Sequence, residues 1–262
     1  MAASTPANQP EILNACSTGA IDLLQEVLQS CGIEKDAAPL LPRDAAKIRF
    51  PSTEAMITAA IAGKQTSMIS FLLSYFSGYP AEWPESRRQS QKPISFTSSI
   101  VLAVLDNPDV ETLSVLCDYD PGIVNFEFND HTTFLSQACQ RDPEKIGPLI
   151  HFLVSHGADM QGGWRLDWNL LPAIRGGQHL DVVEAMVAKG AKMDYSAALA
   201  AVCAKRADVL QLILEKGGMR ESSVADADIE QLRVEAQDAK SVPLIEVVET
   251  LVSARQSTSQ RS

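Results

Sequence analysis

The feature that most restricts what this chain can become is an internal spacing. Short apolar segments containing an alanine are followed four positions later by a turn-former or a helix cap: Ala15 to Gly19, Ala59 to Gly63, Ala103 to Asn107, Ala138 to Asp142 and Ala173 to Gly177. Two weaker copies, Ala201 to Lys205 and Ala236 to Lys240, extend the series, and the alanines are separated by 44, 44, 35, 35, 28 and 35 residues. A period in the thirties marks a chain built of stacked supersecondary units, none of which can bury its apolar face alone.

Each junction is followed by apolar residues at helical spacing. Leu23, Leu24, Val27 and Leu28 form the first such stripe, and Met68, Ile69, Leu72 and Leu73 the second. Leu149, Ile150, Leu153 and Val154, then Val182, Val183, Met186 and Val187, then Val209, Leu210, Ile213 and Leu214 repeat it. Positions i, i+1, i+4 and i+5 share one helix face, so each unit reads as two helices joined by a tight turn. Asn107-Pro108-Asp109 and Asp142-Pro143-Glu144 each place an N-cap residue before a proline at the first helical position, with an acid in the first turn. His156-Gly157 and Lys189-Gly190, 33 residues apart, end two second helices with the residue that most easily takes the left-handed conformation.

These units resemble those of the ankyrin-repeat family. The best stretch runs Val124-Asn125 to Asp130-His131-Thr132-Thr133-Phe134-Leu135-Ser136-Gln137-Ala138, with His131 where the family pattern has glycine, Phe134 for proline and Ser136 for histidine. The resemblance implies an all-α fold, an ankyrin-repeat α-solenoid of about six repeats over residues 11–255 with a C-terminal capping repeat at about 225–255. No repeat carries the family's T-P-L-H tetrad, whose histidine links neighbouring repeats, and fraying is expected beside the insertions. In the cap, Leu244, Ile245, Val247, Val248, Leu251 and Val252 make one apolar stripe opposite Glu246, Glu249 and Arg255. Extra chain falls at about 33–50 and 77–95, where prolines, acids and serines predict loops. Residues 1–10 and 256–262 are expected to be disordered tails.

The charge balance narrows the function classes. With 22 Lys and Arg against 33 Asp and Glu, the net charge is −11. That opposes direct nucleic-acid binding and favours a partner with a basic surface. No apolar run is long enough to span a membrane and no signal peptide is visible, so a cytoplasmic or nuclear location is expected. The five cysteines are odd in number and lack a C-x-x-C pair, as in a reduced compartment. Cys16 and Cys139 read as buried small hydrophobes. His151 and His156 sit about 140° apart on a helix and do not suit one metal. The pairs Gly162-Gly163, Gly176-Gly177 and Gly217-Gly218 form no phosphate-binding motif. No cofactor, metal or catalytic residue is expected.

Aromatic residues on the segments between units are the candidate contact residues: Trp83 in the second insertion, Phe126 and Phe128 with His131, and Trp164 with Trp168. Arg87-Arg88-Gln89-Ser90, with Lys92, is the one basic cluster; it resembles a site for a basophilic kinase with Ser90 as acceptor, or part of a nuclear import signal. Shortening of the repeats after Ala201 should concentrate binding in the first five. The expectation is a monomeric, non-enzymatic regulatory adaptor. The resemblance suggests a transcription coregulator that binds a basic DNA-binding factor, or else a cytoplasmic scaffold or an enzyme inhibitor. An enzyme with an unrecognised site is the remaining reading.

Overall fold

Helix is the only regular structure among the residues described by the computed structural model, which are 9–161, 170–216 and 225–259. The chain forms two compact units, Met1–Phe126 and Glu127–Ser262.

In the first unit the helices are α1 (Gln9–Thr18), α2 (Ile21–Ser30), α3 (Pro42–Lys47), α4 (Thr53–Ala62), α5 (Thr66–Tyr75), α6 (Glu85–Ser90), α7 (Ser98–Asp106) and α8 (Val110–Tyr119), followed by a 3-10 turn at Pro121–Asn125. α1, α4 and α7 pack as one row, and α5 packs on α8 in a second. Rows form because each helix is apolar on the sides facing its neighbours. In α4, Met56, Ile57, Ala60 and Ile61 are fully buried; in α5, so are Met68, Ile69 and Leu72.

In the second unit the helices are α9 (Phe134–Cys139), α10 (Pro143–Ser155), α11 (Leu170–Arg175), α12 (Leu180–Ala188), α13 (Tyr195–Cys203), α14 (Ala207–Glu215), α15 (Asp226–Asp238) and α16 (Val242–Ser259). The same two-row pattern recurs. α9, α11, α13 and α15 succeed one another in one row, while α10, α12, α14 and α16 do so in the other. Leaving aside α3 and α6, the described helices make seven consecutive pairs.

The turns inside the pairs explain the alanine spacing. The N–H five residues after the alanine donates to the alanine carbonyl in Ala20 to Ala15 (2.9 Å), Gln65 to Ala60 (2.9 Å), Gln178 to Ala173 (3.0 Å) and Arg206 to Ala201 (2.8 Å). The intervening residue is left-handed each time, at Gly19, Lys64, Gly177 and Lys205. The second repeat therefore registers on Ala60 and Lys64, one residue later than the Ala59 to Gly63 assignment. Lys240 is left-handed as well, so both weak copies place a left-handed residue four after their alanine, as the Ala15–Gly19 and Ala173–Gly177 turns do. The turns after α7 and α9 contain no left-handed residue and use aspartate caps instead. Asp142 caps α10 as expected, with Pro143 and Glu144 in the first turn. At α8 the cap is Asp109, whose carboxylate accepts from the Thr112 N–H at 2.8 Å, so Pro108 precedes the cap and Asn107 is the C-cap of α7. The Asp109 carboxylate reaches forward to the Thr112 N–H, and that bond displaces the boundary by two residues.

Second helices end as the glycines require. Gly157 and Gly190 are left-handed, and the following N–H of Ala158 or Ala191 donates to Leu153 or Met186 at 3.0 Å. Gly32 closes α2 in the same way, with Ile33 donating to Leu28.

Several expectations need correction. Leu23 is 52% exposed, and only Leu24 and Leu28 of its stripe are buried. The insertions are not only loop: α3 lies in the first and α6 in the second. Both are tied to the core. The Tyr75 hydroxyl donates to the Ile33 carbonyl at 2.8 Å, Thr53 Oγ1 accepts from the Leu40 N–H at 2.8 Å, and the Tyr119 hydroxyl accepts from the Ile94 N–H at 3.1 Å. α1 already begins at Gln9, inside the expected tail, and α16 runs on to Ser259, past its expected end. The rest of both tails lies outside the described residues. Among the described side chains of α16, Leu244 and Val248 are buried and Ile245, Val247, Leu251 and Val252 half-buried, as suits a helix with one covered face.

Candidate protein-binding surface

The second insertion builds the surface around Trp83 from an aromatic and cationic stack. Gly78-Tyr79-Pro80 leads into the turn before α6, and the Tyr79 ring lies 6.1 Å from that of Trp83. The Arg87 guanidinium sits 3.8 Å over the Trp83 ring, and Arg88 Nε donates to the Trp83 carbonyl at 3.0 Å. Both arginines of the basic cluster are therefore engaged inside their own loop. Ser90 is exposed on the last turn of α6.

Two cavities flank this segment. One, of about 460 Å³, is mainly apolar and lined by Leu41, Pro42, Pro80, Trp83 and Pro84, with Glu54 and Glu82 on its wall. The other, of about 470 Å³, is more polar and contains Tyr79, Lys92, Phe96, Asp120 and the half-buried Phe126. Tyr79 and Leu41 are 38% and 48% exposed and escaped the sequence reading. The signal for Tyr79 was an aromatic between a glycine and a proline; Leu41 in a proline-rich stretch carried none.

In the second unit, Glu127 and Thr133 form an antiparallel bridge, and the Phe128 N–H donates to the Thr132 carbonyl at 2.8 Å. His131 closes the turn with φ of 64°, a left-handed conformation that favours glycine. Its Nδ1 lies 2.7 Å from the Glu127 carboxylate. Thr133 caps α9 by accepting from the Ser136 N–H at 3.1 Å. Phe128 and His131 are thus brought together, whereas Trp83 belongs to the first unit. Trp164 and Trp168 lie outside the described residues, as do Gly162-Gly163 and Gly217-Gly218.

Charge distinguishes one segment. From Pro93 to Gln140 there is no Lys or Arg, and seven acids occur, namely Asp106, Asp109, Glu111, Asp118, Asp120, Glu127 and Asp130. Asp109 and Asp120 serve as caps, while Glu111 and Asp118 are exposed. Phe126, Phe128 and His131 all fall in this stretch.

A buried glutamine ties one turn of the second unit to the turn before it. Gln178, fully buried after the left-handed Gly177, donates through Nε2 to the carbonyls of Cys139 (2.9 Å) and Arg141 (3.0 Å) in the preceding turn. Arg206, at the same place one pair later, donates to the Gln178 carbonyl at 2.7 Å. Gly176 is pressed so closely on the Cys139 carbonyl that a side chain there would clash with backbone. Turn reaches back to turn, and this gives the second unit its register. Sequence reading missed it because the bond depends on the residue after the left-handed position and not on a motif.

The chemical candidates resolve into local partners. Burial pushes the Cys16 and Cys139 thiols up to about 12, so they stay protonated small hydrophobes. His151 pairs with Asp181 across α10 and α12 at 3.1 Å, His179 lies 3.4 Å from Glu144, and His156 stacks on Phe152 at 3.7 Å near the end of α10. No group of three or more possible metal ligands occurs among the described residues. No described helix is long and apolar enough to cross a membrane.

Compared with protein-family models and with curated proteins, the chain matches none.

Proposed function

We propose that this chain is a degenerate ankyrin-type repeat protein that acts without catalysis, as a regulatory adaptor holding a protein with a basic surface. The observation that carries this reading is the sequence Pro93–Gln140, where seven acids stand without a single Lys or Arg, with the half-buried Phe126 at the end of the first unit and the half-buried Phe128 at the start of the second. Such a segment offers large side chains for desolvated contact together with a charge that steers a cationic partner. The two-row packing, the glycine-closed second helices and the left-handed His131 support the repeat assignment. A basic DNA-binding factor is the partner class that fits a coregulator role, with the adaptor itself kept off nucleic acid by its negative charge.

The test is capture by the tagged full-length protein followed by partner identification. Phe126→Ala and Phe128→Ala should each weaken the captured partner's affinity roughly tenfold or more if these are anchor residues. Glu111→Lys with Asp118→Lys should slow association, and raised salt should do the same. Capture indifferent to both the rings and the charges would overturn the reading. Imaging separates the roles: a nuclear pool and altered transcripts on deletion fit a coregulator, and a wholly cytoplasmic signal fits a scaffold or inhibitor.

A further inference from the structure

Trp83 is the most elaborately covered ring in the second insertion, and its cover is removable. The Arg87 guanidinium lies over one face, 3.8 Å from the ring centroid, steadied by a 2.8 Å bond from its Nε to Gln91 Oε1. The side chains of Trp83 and Arg87 line the apolar cavity. The helix that carries Arg87 buries no residue at all, so nothing in the core resists its rearrangement. One turn further on stands Ser90, exposed, donating through Oγ to the Ser86 carbonyl at 3.0 Å and the Arg87 carbonyl at 3.3 Å. Arginines precede it by two and three residues.

We infer that Ser90 is a phosphoryl acceptor for a basophilic protein kinase, and that its phosphate draws Arg87 off Trp83 and so uncovers the apolar cavity. In the transfer, Ser90 Oγ attacks the γ-phosphorus of ATP supplied by the kinase. The new P–O bond forms as the bond to the β,γ-bridging oxygen breaks, the hydroxyl proton goes to the kinase's base, and ADP leaves. Phosphorylated, Oγ can no longer donate to the two carbonyls, and nearly two negative charges then sit at the carbonyl end of α6, where the helix dipole opposes them. Arg87, three residues earlier on the same helix face, is the nearest cation in sequence on that face. A bidentate, charge-assisted pair with phosphate is stronger than a cation–π contact at a partly exposed ring, so the guanidinium changes partner. Arg88 stays on the carbonyls of Trp83 and Ala81, holding the loop while the ring face opens. This inference does not depend on the adaptor reading.

The test uses the full-length chain with Trp164→Phe and Trp168→Phe, leaving Trp83 as the sole tryptophan. The protein is incubated with ATP and a kinase selective for arginine two and three residues before the acceptor. Peptide mapping locates the phosphate, and acrylamide quenching reads the exposure of Trp83. The expected result is one phosphoryl group on Ser90, absent in Ser90→Ala, with quenching raised to the level of unphosphorylated Arg87→Ala. That variant should keep its helicity, since α6 buries nothing. No transfer, transfer to Ser86 instead, or a phosphate on Ser90 that leaves quenching unchanged would each overturn the inference.

Discussion

At the scale of single residues, the account rests on side chains whose partners were assigned by backbone geometry. Gln178→Ala should lower stability by about 1–3 kcal/mol, because the Cys139 and Arg141 carbonyls lose their buried donor. Urea unfolding measures this, and a loss under about half a kcal/mol would show that the tie contributes nothing beyond packing. Leu153, fully buried in α10, should cost about 2–5 kcal/mol when cut to alanine. Burial of Cys16 and Cys139 was legible in the sequence, since each follows the alanine of an apolar segment. Gln178 was not legible, since a glutamine after a glycine pair has no signature until the turn is folded.

Among the elements, the helix termini hold the charge-dependent part of stability. The guanidinium of Arg206 bonds the Asp208 carboxylate in the first turn of α14, and His151 bonds that of Asp181 in the first turn of α12; each bond holds its carboxyl below the ordinary range. A depressed carboxyl stabilises the fold at pH values above its unfolded pKa, and the contribution disappears as pH falls through the lower folded value. Acid titration of the unfolding midpoint should therefore show a loss below the usual carboxylate range that is smaller in Asp208→Asn. A slope identical to the unsubstituted protein's would remove Asp208 from the account. The turn at His131 makes an independent prediction. His131→Gly should raise the midpoint modestly, because a left-handed backbone suits glycine, even though the exposed Glu127 pair is lost. Element existence was legible from apolar spacing, with Met68, Ile69, Leu72 and Leu73 all buried as their stripe requires. Element boundaries were not. A one-residue shift at Ala60 and a two-residue shift at Asp109 came from turn bonds that propensity does not encode, and α3 and α6 escaped because short helices in proline-rich chain have no apolar period to reveal them.

For the whole molecule, the central claim is that each helix pair depends on its neighbour to cover its apolar side. The period in the sequence predicts this, whereas the candidate contact residues were only partly visible: the aromatics stood out by type, while Tyr79 and Leu41 joined them only through folding of the insertions. The second unit offers the clearest trial, because α15 and α16 close the two rows with Ile229, Leu232, Leu244 and Val248 buried. Removing residues 226–262 would bare the sides of α13 and α14 against which they pack. Far-UV circular dichroism followed through urea unfolding should then show helicity reduced beyond that of the deleted segment, and an earlier, broader transition for what remains. A truncated chain that keeps the full midpoint and loses only the helicity of α15 and α16 would contradict the claim.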